Sequence, residues 1–225
     1  IIQEKNIQSL KETMNFSLRQ AFLIDIPAAV GLYLLALPIV SVIFQRGKFD
    51  EATSMATAAT LCFFALKIPF VSGVRNLVPG FFALKDAKTP VITSAIAVAV
   101  NTVSALILMK SLSYRGLALA LVISSATNFT ILIYCFRRKV GAIGASKIIK
   151  SVFRTSVASA IMAVVLYYSM KAVPNMMEGT VWMRATILLS LVLIGMLVFI
   201  LIIRVISKDE YHALKGLIRR KRKTT

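Results

Sequence analysis

Asp25, Lys67 and Arg75 are the residues whose chemistry most needs a setting. Each carries a charge inside a stretch that is otherwise apolar. A charge at the centre of a bilayer costs about 2.5–3.5 kcal/mol on insertion scales, so it persists where it meets a partner, a wet cavity or the interface. Lys67 lies near the middle of its stretch, with Arg75 about two turns further on. Asp25 lies about two turns inside the preceding stretch. If the two stretches run antiparallel, Asp25 and Arg75 fall at similar depth, and they are expected to face each other or to share a polar cavity. Cations lining such a cavity attract an anionic substrate. The plainer alternative for Arg75 is to snorkel to the interface while Asp25 neutralises it. Lys67 is too deep for that, and is assigned to the cavity.

The elements that position these residues are six long apolar stretches, at 16–44, 52–82, 90–109, 117–136, 152–170 and 181–203. A hydrocarbon core of about 30 Å takes about 20 apolar residues of helix. None of the stretches alternates as a barrel strand does. The expected fold is an all-α integral membrane protein with six transmembrane helices. A 58% hydrophobic composition with mean hydropathy +0.80 disfavours a soluble helical bundle.

The net charge of +18 suggests nucleic acid until its distribution is read. With the N-terminus in the cytoplasm, most basic residues fall on that side, in the loop around 137–154 and in the tail. That is the positive-inside pattern, and it places both termini in the cytoplasm. The run Arg219, Arg220, Lys221, Arg222 and Lys223 is expected to meet anionic membrane lipids. No aromatic platform accompanies it, so no nucleic-acid partner is expected. Cys62 and Cys135 each sit inside a span, and the single histidine, His212, lies in the tail. No metal spacing, nucleophile set, paired carboxylates or phosphate loop is present, so neither an enzyme nor a cofactor is expected. The chain opens on Ile1-Ile2, which suggests a fragment or a processed product.

Residues 3–20 read as a polar amphipathic helix leading into the first span, which then carries Pro27 and Pro38. The second span combines Lys67, Pro69, Gly73, Arg75 and Pro79, unlike an ordinary lipid-facing helix. Pro27, Pro69, Gly73 and Pro79 are candidate hinges, because proline and glycine supply bending points in membrane helices. Asn101 and Asn128 are mid-span, where interhelical hydrogen bonding is the ordinary role and ion coordination the sharper one. Three segments are expected. Residues 1–140 hold the lead-in helix and four spans, 141–206 a basic loop and an appended helix pair, and 207–225 a basic tail.

At its motifs the chain resembles the C-terminal part of the MurJ (MviN) family of lipid II flippases, in the MOP exporter superfamily. The resemblance rests on IPAAVGL at 26–32, ALPIV at 36–40 and FQRGKFD at 44–50, with Arg46, Gly47 and Phe49. It continues in VRNLVPGFFALKDAKTPV at 74–91, with Pro79, Asp86, Thr89 and Pro90, then Asn101, GLALAL at 116–121 and Asn128. Beyond residue 140 it rests on helix count and the basic tail.

The resemblance implies the last six spans of a fourteen-helix, two-lobe transporter of the bacterial inner membrane. It implies an undecaprenyl-diphosphate-linked saccharide, lipid II, as substrate, and an N-terminal lobe that supplies most of the essential arginines. The last two spans would form the groove for the lipid tail. Lys67 stands where many relatives carry glycine. Some relatives have a sodium site, of which Asn101 matches the asparagine, while Ala105 and Leu121 occupy the other two positions. Alternative functions are export of another polyprenyl-linked saccharide, drug/ion antiport, or a non-transporting membrane scaffold.

Overall fold

The computed structural model describes residues 2–44, 51–172 and 180–207. Arg46, Gly47, Phe49, His212 and the basic run at 219–223 lie outside the described residues. The described chain forms seven helices: α1 Ile2–Leu34, α2 Ala36–Phe44, α3 Glu51–Ala83, α4 Lys88–Leu112, α5 Tyr114–Val140, α6 Ala145–Lys171 and α7 Val181–Ile206. Helices α3 to α7 are each long and apolar enough to cross a membrane, and α1 with α2 makes a sixth span if the bent pair is taken together. Their surfaces expose large side chains such as Val91, Val98, Leu106, Ile107, Leu197 and Val205. Water would penalise such a surface, whereas lipid solvates it.

The polar lead-in and the first span are one element. Helix α1 runs unbroken for 33 residues, about 50 Å at 1.5 Å per residue. It passes through Pro27, as α3 passes through Pro69 and Pro79. The sharp break comes at Leu35, where α1 and α2 meet at 66°. Pro38 explains its position. Proline has no N–H to offer the Leu34 carbonyl, and its ring crowds that carbonyl. The ladder resumes around it, Leu35 N–H donating to Gly31 O and Ile39 N–H to Leu35 O, each at 2.9 Å.

The chain divides into two compact units that cut across the helices. One comprises Ile1–Asp25 and Lys67–Phe153, the other Ile26–Leu66 and Arg154–Thr225.

In the first unit, α4 and α5 form a tight hairpin. Ser113 turns the corner at φ 50°, and its N–H donates to Met109 O at 3.1 Å. Gly116 lies so close to the Leu108 backbone that a side chain there would strike it. Deeper in the unit, Phe81 and Phe136, both fully buried, meet edge to face at 5.2 Å. Gly80 lets the Phe136 ring and Met14 approach α3, since a Cβ there would lie 2.8 Å from each. Asn15, nearly buried, donates its amide to Ile143 O at 2.7 Å and Gly144 O at 3.1 Å. The α5–α6 connection is thereby tied to α1.

The second unit packs Ala36 and Val40 of α2 around Ala58 of α3. Helix α7 buries Leu191, Gly195, Phe199 and Ile203, one residue per turn. Gly195 admits Leu166 of α6, whose methyl carbons would lie 3.1 and 3.2 Å from an added Cβ. Small residues at such crossings let membrane helices pack closely without a hydrophobic driving force.

Candidate functional site

The sequence candidates in the first unit come from α1, α3, α4 and α5. Gly73 of α3 faces Phe129 of α5, and the ring occupies the space a side chain would take. Phe129 meets Phe22 of α1 edge to face at 5.9 Å, and Phe70 of α3 at 6.4 Å. This aromatic cluster sets α1, α3 and α5 side by side along the stretch that carries Lys67, Arg75 and Asp25. Gly73 is therefore a packing position in this structure.

The three charged residues meet different surroundings. Lys67 is partly buried and has a partner. Arg75 is exposed on the side of α3, as is Pro79. Asp25 is partly buried, and its Oδ2 is buried without a hydrogen-bond partner among the described residues. No ion pair links Asp25 to Arg75 among the described residues.

Asp25 Oδ2 belongs to a set. The side-chain oxygens of Asn101 on α4 and Asn128 on α5 are also buried without a hydrogen-bond partner among the described residues. A buried acceptor left unpaired costs about 1–3 kcal/mol, more when charged. All three oxygens therefore favour a donor or cation that could reach them. Sequence reading missed a further set on α6. Ser151, Thr155 and Ser159 recur every fourth residue and are buried, yet their hydroxyls have no partner among the described residues. Elsewhere such hydroxyls bond back to their own helix, as Thr102 does to Val98 O at 3.0 Å and Thr130 to Ala126 O at 2.8 Å. The four-residue spacing was the available signal.

The segment 74–91 folds into a helix stop and a helix start. Lys85 adopts the left-handed conformation at φ 57°. Its N–H donates to Phe82 O at 2.9 Å and that of Asp86 to Phe81 O at 3.0 Å, the paired bonds of a Schellman terminus. Asp86 then caps α4. Its Oδ1 accepts the Thr89 N–H at 3.1 Å and its Oδ2 the Thr89 hydroxyl at 2.5 Å. Lys139 Nζ, on the last turn of α5, sits 2.6 Å from the same Oδ2. The Lys139 ammonium, seconded by Thr89's hydroxyl and N–H, holds the Asp86 carboxyl well below the usual carboxylate range. Pro90 is buried in the first turn of α4, where its missing N–H would be unbonded in any case. Asp86, Thr89 and Pro90 thus build the turn that fixes α3, α4 and α5 at one end of the unit.

Long apolar helices that carry carboxylate, ammonium, guanidinium and carboxamide groups within them define a multi-pass α-helical membrane protein. Ionisable groups kept at such depth mark pathways for polar cargo as a class. Comparison with known proteins narrows the class. The family described as lipid II flippase MurJ matches residues 1–186. A probable lipid II flippase MurJ of Rhizobium tropici is 29% identical over 223 residues, covering 98% of this chain and 42% of the relative. That of Bdellovibrio bacteriovorus is 31% identical over 163 residues, covering 71% of this chain and 31% of the relative. A solved lipid II flippase MurJ in an inward closed conformation has the same fold, with TM-score 0.71, 24% identity, and coverage of 89% of this chain and 42% of the solved one. The chain belongs to the lipid II flippase MurJ family. It spans about two fifths of the length of the first of these relatives.

Proposed function

We propose that this chain is the part of a lipid II flippase that supplies the last six spans of a fourteen-helix transporter, in the bacterial inner membrane with both termini cytoplasmic. Residues 1–140 contribute four spans of the second lobe, 141–206 the basic loop and the helix pair that holds the lipid tail, and 207–225 a tail that meets anionic lipids. The missing N-terminal lobe completes the cavity. The observation that carries this reading is the family match across residues 1–186, joined to charged groups inside the apolar helices of the first unit.

The physical problem is a lipid whose diphosphate head cannot cross hydrocarbon unaided. A polar cavity accepts the head while the tail stays in lipid, and rocking of two lobes exposes the head on the other face. In this reading Lys67 and Arg75 are the cations that meet the diphosphate. In the same reading Asp25 shares the cavity with them and tunes its charge. Pro27, Pro69, Gly73 and Pro79 are the candidate hinges at which α1 and α3 would bend as the lobes rock. Asn101 is the candidate ion ligand. The process makes and breaks no covalent bond, so no catalytic residue is assigned.

Complementation tests the reading. The full-length gene carrying this chain is expressed in cells depleted of their own lipid II flippase. Restored growth and cell shape are expected; lysis despite normal protein levels would point to another polyprenyl-linked saccharide, to drug or ion antiport, or to a scaffold.

A further inference from the structure

We propose that the α5–α6 corner is a binding site for an anionic phospholipid, whose phosphate sits on Arg137 and Arg138 and whose acyl chain lies along Ile133, Tyr134, Ile148 and Ile149. These residues line a groove of about 640 Å³ within the first unit. It has the two-part chemistry of such a lipid. The floor and walls are apolar: Ile148 is buried, while Tyr134 and Ile149 present 57% and 66% of their surface. The cations lie at one end, in the last turn of α5, where the helix dipole favours positive charge. The Arg138 guanidinium stacks 5.4 Å from the Tyr134 ring centroid, which holds it beside the groove.

Charge complementarity selects the ligand. No acidic side chain among the described residues lines the groove, so an ammonium or choline headgroup finds no counter-charge in its lining. Neither arginine forms an ion pair among the described residues. Two guanidinium forks match phosphate oxygens geometrically. The apolar wall excludes free phosphate as the fitting ligand, because only a ligand with a chain removes that wall from water. A cleft on the other side of the same corner holds Lys11, Arg19 and Lys147, but also Glu12, which opposes an anion. The sharp turn that shapes the groove is built by Gly141 at φ 86° and Gly144 at φ 72°. Asn15 holds that turn in place, so an occupant of the groove would bear on the linkage between α5 and α6.

The test is native mass spectrometry of the purified full-length protein, titrated with phosphatidylglycerol, phosphatidylcholine or inorganic phosphate. Phosphatidylglycerol is expected to bind most tightly. R137Q/R138Q is expected to weaken it roughly thirtyfold, each arginine contributing about a factor of five at a charged interface. K147Q/K150Q removes the same charge from α6 outside the groove, and is expected to leave the affinity nearly unchanged. Equal losses in the two double variants would show general attraction to a basic protein and overturn the site. Phosphatidylcholine binding as tightly, or inorganic phosphate competing at equal concentration, would overturn it as well. If R137Q/R138Q does not fold, Ile149→Trp fills the groove at an exposed position and keeps both charges. Its affinity for phosphatidylglycerol should fall, and an unchanged affinity would overturn the proposal.

Discussion

Lys139 Nζ lies 2.6 Å from Asp86 Oδ2 and so fastens the last turn of α5 to the cap of α4. The same oxygen accepts the Thr89 hydroxyl. Asp86 therefore joins two helix ends through its carboxylate, and its backbone N–H, donating to Phe81 O, closes a third. Its depressed pKa gives the linkage a sign: the contribution to stability is full above the ordinary carboxylate value, near 4, and is lost as pH falls below it towards the folded value. The stability difference between the native chain and Asp86→Asn, read by thermal unfolding, should be constant from neutral pH to about pH 5 and shrink below about pH 4. A difference that grows on acidification contradicts the assignment.

Gly73 and Phe129 supply a second prediction. Gly73→Ala puts a methyl group where the ring stands. Overpacking of this kind costs about 1–3 kcal/mol. Phe129→Leu in the same chain should restore much of the loss, because it vacates that space. Additive costs in the double variant, measured by thermal unfolding in detergent, would show that the two residues do not share it.

Asn15 supplies a third. Its amide donates to two carbonyls of the α5–α6 turn, at 2.7 and 3.1 Å. Asn15→Leu leaves those carbonyls unpaired and should cost about 1–3 kcal/mol. Hydrogen exchange should quicken in the first turn of α6 more than in α7. Uniform quickening across both helices would mean that Asn15 supports the fold generally rather than this turn.

Asp25 supplies a fourth. Its Oδ2 is buried without a partner among the described residues, so Asp25→Asn removes a charge from an unfavourable place. The protein should be at least as stable to heat as the native form, while transport falls. Equal loss of stability and transport would assign Asp25 a structural role only.

The spans were legible because twenty-residue apolar stretches have few other uses. The break at Leu35 was legible in part, through Pro38. Which helices group into compact units was not, because lipid is as apolar as leucine and burial leaves little polarity contrast to read. Asp86 stood out within its motif, but its partner Lys139 is one of 27 basic residues and nothing in its spacing distinguished it. Asn15 was hidden in the same way, as one polar residue in a polar lead-in whose bonding partner comes from the far turn at Ile143. Depth suggested that Asp25 and Arg75 face each other or share a polar cavity, but depth does not fix the face of a helix, and no ion pair links the two among the described residues.

In the proposed function, cations of α3 handle a lipid-linked diphosphate. The most direct measurement is lipid II head-group accessibility on the outer face of cells depleted of their own flippase. Those cells would carry the full-length protein with native Lys67 and Arg75, or with both changed to Ala at matched protein levels. Accessible head groups are expected with the native form, and a loss of at least tenfold with the double variant, the scale of losing one to two charge-assisted contacts. Equal accessibility with both forms would contradict it.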